Sequence, residues 1–168
     1  MTLLYAQPFD PSATGFFFET AEEYALKANA ARNSAGHPVE EFELQFIDGE
    51  PIDAALFEAL GVSQVNLATF LERAIEWDTN DKQRVIVAVG ECGYSFDLET
   101  DRPDNLDVDI YPVETLRELA EQFVDEGLFG DIPERVRYYL EYDAIARDLG
   151  FDYRETTIAG DRLVYRCG

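Results

Sequence analysis

The residues of this chain with the clearest chemical potential are the carboxylates of residues 95–126. This segment has eleven Asp and Glu but only two basic residues, Arg102 and Arg117. Clustered carboxylates can bind calcium, and the part that begins at Asp97 has the acidic density of an EF-hand loop. Such a loop needs glycine at its sixth position and glutamate at its twelfth, where this chain has Arg102 and Val108. The spacing therefore predicts no specific calcium site.

Side chains that could serve nucleophilic or metal-assisted catalysis are sparse. The only histidine, His37, lies in a turn that contains Gly and Pro, so a Ser-His or Cys-His pair would depend on it alone. No serine lies in a G-x-S-x-G sequence, and no glycine-rich phosphate-binding motif occurs. With 35 Asp and Glu in the chain, pairs of carboxylates identify no acid–base site. We therefore predict that the protein is not an enzyme and has no catalytic residue, metal or cofactor.

Net charge is the feature of the composition that departs furthest from ordinary proteins. The 168 residues include 35 Asp and Glu against 13 Lys and Arg, a formal charge of −22. Solubility of a small domain needs a net charge of only about 2–8, and more costs stability through self-repulsion. With 46% hydrophobic and 13% aromatic residues the chain can form a core, unlike a disordered acidic tail. The excess charge therefore indicates a function of the folded surface.

The sign of the charge selects the class of partner. Nucleic acid and anionic membranes would be repelled, so we expect direct contact with neither. A protein that normally binds nucleic acid would be attracted, and −22 charges match the phosphates of about eleven base pairs. The composition is also compatible with a merely solvated acidic face, and an acidic enzyme of halophile type, whose carboxylates would be spread evenly, is the alternative of another class.

Sorting signals and cysteine usage predict a cytoplasmic protein. The N-terminal residues lack the basic region and apolar run of a signal peptide, and no apolar stretch approaches the roughly 18 residues of a membrane span. The two cysteines, Cys92 and Cys167, do not have metal-ligand spacing. Such sparse cysteine usage is typical of a reducing compartment.

The first half of the chain predicts an α+β fold. Residues 3–9 and 15–20 form a predicted hairpin, and residues 40–48 form a third strand with alternating apolar and polar residues. Helices are predicted over 20–33, 52–60 and 66–77; Thr20 and Glu23 form a capping box at the start of the first.

The segment 85–89 is ambiguous from its residues alone. Its β-branched side chains favour a strand by propensity. The polar residues before it are typical of a helix start, and a short apolar run cannot be decided by periodicity.

The acidic segment ends in a predicted amphipathic helix that closes at Gly127, a C-cap residue. Its apolar stripe consists of Leu116, Leu119, Ala120, Phe123 and Val124. Its opposite face has a single row of carboxylates at i, i+4, i+7 and i+11, namely Glu114, Glu118, Glu121 and Asp125.

A second helix is predicted over 131–149, and a hairpin with its turn at 159–161 follows it. Asp131 and Glu134 have the spacing of a capping box, with Pro133 in the first turn. Asp143 and Arg147 can pair at i, i+4. The tyrosines share one broad apolar face with other residues and are assigned mainly to packing: Tyr138, Tyr139 and Tyr142.

Residues 125–149 resemble the motif of the ArdA antirestriction family. The matching positions are Gly127, Leu128, Ile132, Pro133, Glu134, Tyr139, Tyr142, Ala146, Arg147, Asp148 and Leu149. The pair Glu141–Tyr142 departs from the family pattern, which has an apolar residue, Asp and an aromatic residue there. Residues 15–20 and 40–51 resemble other family segments more loosely, and residues 80–110 fit poorly.

The resemblance implies an elongated, dimeric mimic of B-form DNA that occupies the DNA-binding cleft of type I restriction–modification enzymes. It also implies small modules with a helical middle, and so a helix over 85–89. A mimic directed at a CRISPR effector or another nucleic-acid-binding complex is the alternative. The expected modules are a sheet with a helix over 1–62, a helical acidic module over 63–110, and helices with a β-hairpin over 111–168.

Two groups of residues are predicted to carry this function. The DNA-mimic surface consists of Asp97, Glu99, Asp101, Asp104, Asp107, Asp109, Glu114, Glu118, Glu121 and Asp125. Packing and a homodimer interface are assigned to the motif residues Pro133, Tyr138, Tyr139, Tyr142, Arg147 and Asp148.

Overall fold

The N-terminal residues form a three-stranded antiparallel sheet with its core on one face. The computed structural model describes all of residues 1–168. Strand β1 is central and pairs with β2 and β3. Leu4 and Ala6 of β1 are fully buried and pack with Phe18, Phe42 and Leu44. The predicted hairpin, first helix and third strand are confirmed as β1 (Leu3–Pro8), β2 (Phe16–Phe18), α1 (Ala21–Ala30) and β3 (Phe42–Asp48).

Four helical segments follow this sheet. They are α2 (Pro51–Leu60), α3 (Leu67–Glu76), α4 (Thr79–Val85) and a π-helix (Ile86–Glu91). The segment 85–89 is therefore helical, as the resemblance implies and against its β propensity. Val85, Ile86, Val87 and Ala88 are all buried, and the π-helix packs against α2. Burial thus decides the conformation of this β-branched run.

A buried ion pair ties α2 to α4. Lys82 Nζ lies 2.6 Å from Asp53 Oδ1, and both residues are less than 9% exposed. Phe57 of α2 also meets Phe70 of α3 edge to face, with ring centroids 5.6 Å apart. These contacts join residues on both sides of position 62.

The C-terminal residues form a second antiparallel sheet, in the order β4-β6-β5, with helices against it. Its core contains Leu119, Phe123, Tyr153 and Val164. The predicted acidic helix and terminal hairpin are confirmed, with positive φ at both turn residues, Ala159 and Gly160, as a two-residue type I′ hairpin requires. The elements are β4 (Val108–Tyr111), α5 (Leu116–Asp125), α6 (Glu134–Arg137), α7 (Tyr142–Leu149), β5 (Tyr153–Ile158) and β6 (Asp161–Cys167).

The single helix predicted over 131–149 is wrong, because two short helices replace it. Between α6 and α7, Tyr139 N–H donates to Val136 O and Leu140 N–H to Arg137 O, so the turn tightens to i→i−3 bonds and ends. The break lets α7 pack against α5. The predicted Asp131–Glu134 capping box does not form, since Pro133 is the N-cap and makes no side-chain bond.

The chain divides into two compact units, Met1–Leu106 and Asp107–Gly168. This division differs from the three expected modules. Residues 1–62 and 63–106 share one unit because of the packing of α2, and the predicted boundary at 110 falls inside β4, which pairs with β6.

Two further observations bear on the expected compartment. No helix is long and apolar enough to span a membrane. Neither Cys92 nor Cys167 is a free thiol, so the cysteines do not support the expected reducing compartment.

Candidate functional site: the acidic surfaces of the two units

The ten carboxylates of the predicted mimic surface are divided between the two units. Asp97, Glu99, Asp101 and Asp104 belong to the first unit, and the other six belong to the second. Eight of the ten residues are exposed, whereas Asp109 and Glu121 are half-buried. The two sets differ in how their carboxylates are held.

The four carboxylates of the first unit lie in a loop that folds on itself. The backbone N–H of Asp97 donates to Asp101 Oδ2 at 2.7 Å, and that of Glu99 donates to Asp97 Oδ1 at 2.8 Å. The N–H of Asp101 closes the turn on the carbonyl of Asp97 at 2.9 Å. Leu98, between the exposed acids, is buried. The loop is therefore ordered although its side chains repel one another.

Two arginines hold this loop through its carbonyl groups. Arg73 Nε donates to Leu98 O at 3.1 Å. Arg84 donates to Pro103 O at 3.2 Å and to Leu106 O at 2.6 Å. A guanidinium used in this way fixes the backbone and leaves the neighbouring carboxylates without an ion-pair partner. Lys27, Arg73 and Lys82 form ion pairs with Glu23, Glu76 and Asp53, and none of these three acids belongs to the loop.

The first unit holds more of the excess charge than the predicted mimic surface implies. Residues 1–106 contain 20 Asp and Glu against 6 Lys and Arg, a net −14, whereas residues 107–168 contain 15 against 7, a net −8. Two other basic residues also serve the fold: Lys82 pairs with buried Asp53, and Arg32 donates to the carbonyls of Asn29 and Ala31. Counting the charges of each unit would have revealed this excess, but the count requires the unit boundary after Leu106, which the sequence does not show.

Part of the carboxylate row predicted on α5 is engaged in hydrogen bonds at the start of the helix. Thr115 Oγ1 accepts from the N–H of Glu118 at 3.1 Å, and Glu118 Oε2 accepts from the N–H of Glu114 at 2.8 Å. These reciprocal bonds satisfy donors at the helix start. Glu114 precedes the helix, which begins at Leu116, and so it does not extend the helical row.

Arginine side chains pair with Asp109, Glu121 and Asp125 of the second unit. Asp109 lies 2.7 Å from Arg166, Asp125 lies 2.9 Å from Arg137, and Glu121 lies 3.4 Å from Arg117. Exposed pairs of this kind contribute about 0–1 kcal/mol each to stability. They nevertheless place a positive charge beside Asp109, Glu121 and Asp125, so these carboxylates are not the unpartnered charges that a mimic surface needs.

The expected pair of Asp143 with Arg147 does not form. Asp143 Oδ1 accepts from Arg117 Nη1 at 2.6 Å instead. This hydrogen bond, followed by the charge of the carboxylate, raises the pKa of Arg117 above its ordinary value. Arg147 and Asp148 are exposed on α7.

The tyrosines of the motif do not share a packed face. Tyr138 is 90% exposed and Tyr139 is 84% exposed, which corrects their assignment to the core of this chain. Tyr142 is half-buried beneath Arg117, whose guanidinium carbon lies 5.8 Å from the ring centroid. Pro133 is exposed. The same segment exposes other large apolar side chains: Leu128, Phe129 and Val136.

This exposed apolar segment, defined as residues 128–139, begins directly after a helix end that the sequence does predict. Gly127 has φ +77°. The N–H of Gly127 donates to Val124 O, and that of Leu128 donates to Phe123 O. These are the bonds of a Schellman motif, and they end α5 at the predicted position.

No group of three or more His, Cys, Asp or Glu side chains is placed to hold a metal ion. Comparison of the chain with protein-family models and with curated proteins found no match. The assignment of function therefore depends on the charge, the geometry of the two units and the motif described above.

Proposed function

We propose that the protein is an acidic DNA mimic that competitively inhibits DNA binding by type I restriction–modification enzymes. The observation that supports this most directly is the first unit, which has a net charge of −14. Its loop of exposed carboxylates is fixed through backbone carbonyls. Fixed charges without internal ion-pair partners are what a substitute for DNA phosphates needs.

Binding in this proposal is an exchange of ions between two charged surfaces. The carboxylates approach Lys and Arg residues that otherwise contact DNA phosphates, and both surfaces release counterions. At about one charge per 1.7 Å of duplex, the −14 of the first unit corresponds to roughly seven base pairs of DNA. Affinity comes from many weak contacts, so the proposal includes no catalytic residue and no cofactor.

The resemblance of residues 125–149 to the ArdA motif supports type I enzymes as the target. These enzymes act on DNA inside the cell, so the proposed site of action is the cytoplasm. The exposed apolar segment 128–139, with Tyr138 and Tyr139 at its end, supports a homodimer, because large apolar side chains on a surface favour association. A C₂ pair would bury the same patch of both copies.

The deciding experiment measures DNA binding by a panel of type I methyltransferases in low salt, with the protein in stoichiometric excess. We expect the DNA to be displaced, and displacement to weaken steeply as salt rises from about 50 to 200 mM. Unchanged DNA binding across the panel would contradict the proposal. A CRISPR effector assayed in parallel tests the alternative target.

A further inference from the structure

We propose that the groove beside the free edge of β3 binds an extended, basic segment of a partner protein by strand addition. The groove belongs wholly to the first unit. The inference needs neither DNA mimicry nor a restriction enzyme, and it would stand if that function were disproved.

The first observation is the orientation of the backbone along β3, an edge strand of its sheet. Glu41 O accepts from the N–H of Phe9 on the side of β1, whereas the N–H of Phe42 points away from β1 and donates to Gln64 Oε1 at 2.8 Å. In an antiparallel ladder these directions alternate. The N–H and C=O of Leu44 therefore face the open edge, where no strand pairs.

The second observation is that Gln64 already makes strand-like bonds at this edge. Its Oε1 accepts from the N–H of Phe42, and its Nε2 donates to Glu40 O at 3.0 Å. One carboxamide thus makes the pair of bonds that the N–H and C=O of one residue in a parallel neighbouring strand would make. Gln64 covers only the first part of the edge, and the backbone of Leu44, a residue that is 6% exposed, has no strand partner there.

The third observation is a groove of about 550 Å³ next to this edge, within the size range of ligand-binding clefts. Its apolar lining includes Phe57 and buried Val62, together with Phe9, which is 63% exposed, and Val65, which is 89% exposed. The acidic lining consists of Glu41, Glu43 and Glu58, and no basic residue contributes.

Shape and charge together specify the occupant. Successive side chains of an extended strand point to opposite faces, so a segment with alternating apolar and basic residues can place the apolar ones in the groove and the basic ones near the carboxylates. Backbone bonds at an edge supply affinity, and pockets for alternate side chains supply specificity. Charge complementarity therefore favours a basic segment over a neutral or acidic one.

The direct test uses a synthetic peptide, Lys-Val-Lys-Leu-Lys-Val-Lys, and amide hydrogen exchange measured by NMR. We expect the peptide to bind and to slow exchange of the Leu44 amide. A peptide with the same side chains but with all its backbone nitrogens methylated keeps the charge and loses every backbone N–H donor, so it should not bind. Equal binding of both peptides, or an unchanged Leu44 amide, would overturn the proposal.

A matched pair of double variants separates the groove from the overall charge. Glu41→Lys with Glu58→Lys reverses two charges that line the groove, and Glu22→Lys with Glu72→Lys reverses two exposed charges elsewhere in the unit. We expect affinity for the basic peptide to fall about tenfold in the first variant and about twofold or less in the second. Equal losses would refute a local site. Concentration-dependent protection of Leu44 without peptide would identify a second copy of the chain as the occupant and would also refute it.

Discussion

At the scale of single residues, four of the six basic side chains of the first unit serve the fold and leave its surface acidic. Arg32, Arg73 and Arg84 donate to backbone carbonyls, and Lys82 is buried against Asp53. Each of these cations therefore stabilises a particular segment, and few are available to neutralise exposed carboxylates. The hydrogen bonds from Arg73 and Arg84 to carbonyl groups thus order the loop and also leave its exposed carboxylates uncompensated.

The Asp53–Lys82 pair gives the first prediction. Lys82→Met leaves the Asp53 carboxylate buried without its partner, so the free energy of unfolding should fall by about 3–5 kcal/mol. Urea denaturation measures this change. Lys27→Met, which breaks the exposed pair with Glu23, should cost about 1 kcal/mol or less. If Asp53→Leu combined with Lys82→Met is as unstable as Lys82→Met alone, the uncompensated charge is not the cause.

The second prediction concerns Asp81 at the start of α4. Burial, followed by the charges of Asp78 and Asp104, raises the pKa of Asp81 above its ordinary value. The folded state therefore keeps the Asp81 proton to higher pH than the unfolded state does. The contribution of Asp81 to stability is present below its ordinary pKa and is lost as pH rises through its raised folded-state pKa. Asp81→Asn should therefore be more stable than the parent chain at neutral pH.

The pH dependence of thermal unfolding tests the role assigned to Asp81. The advantage of Asp81→Asn should shrink in acid, where the parent carboxyl is protonated. Glu72→Gln, an exposed change on α3, controls for net charge. An advantage that is the same at all pH values, or equal to that of Glu72→Gln, would exclude the local cause.

At the scale of elements, α5 and the exposed apolar segment 128–139 have opposite roles. Phe123 is 4% exposed and meets Tyr111 and Tyr153 in an aromatic cluster. Tyr139, only sixteen residues later, is 84% exposed. One aromatic residue stabilises the unit, and the other is available to a partner.

The third prediction follows from this contrast. Phe123→Ala should lower the free energy of unfolding by about 3–5 kcal/mol, whereas Tyr139→Ala should change it by about 0.5 kcal/mol or less. Denaturation measures both values. Sedimentation at micromolar concentration should show that Tyr139→Ala shifts a dimer toward monomer without unfolding it. A large loss of stability in a monomeric Tyr139→Ala variant would show that Tyr139 packs within its own unit, as the sequence predicts.

The elements that the sequence predicts well are those with strong local signals. Residues 116–125 have an apolar stripe and a terminating Gly127, and both act as expected. The N-cap at Thr115 is a finding of the structure. The break between α6 and α7 could not be predicted, because the tyrosine spacing also fits one helix and the packing of α7 on α5 is a tertiary contact. Strand β4 was missed since its partner, β6, lies more than fifty residues later.

At the scale of the whole molecule, the net charge could be predicted from the sequence, but its division between the two units could not. The count of −22 needs no structure. Assigning −14 to one unit requires knowledge that residues 1–62 and 63–106 share a core, and this depends on contacts such as Asp53–Lys82. The groove beside β3 was likewise hidden, because Gln64 and β3 meet only in the fold.

The last prediction compares the two sets of carboxylates on the two units. In the first set the four acids of the loop are converted to amides: Asp97, Glu99, Asp101 and Asp104. In the second set the four acids at α5 are converted: Glu114, Glu118, Glu121 and Asp125. Both quadruple variants change the net charge equally, and amides preserve oxygen acceptors for the backbone bonds of the loop and of the helix start.

The salt dependence of inhibition of a type I methyltransferase distinguishes the sets. A carboxylate that releases a counterion contributes about 0.9 to the slope of log affinity against log salt, as a phosphate of B-form DNA does. The loop set should therefore reduce the slope by up to about 3.6. The α5 set should reduce it by about half as much, because Arg117 and Arg137 already stand in place of counterions at Glu121 and Asp125. Conversion of any one of these acids to its amide should change affinity little. If one such conversion abolished inhibition while the chain stayed folded, a discrete site would carry the inhibition and the distributed-charge mechanism would be wrong.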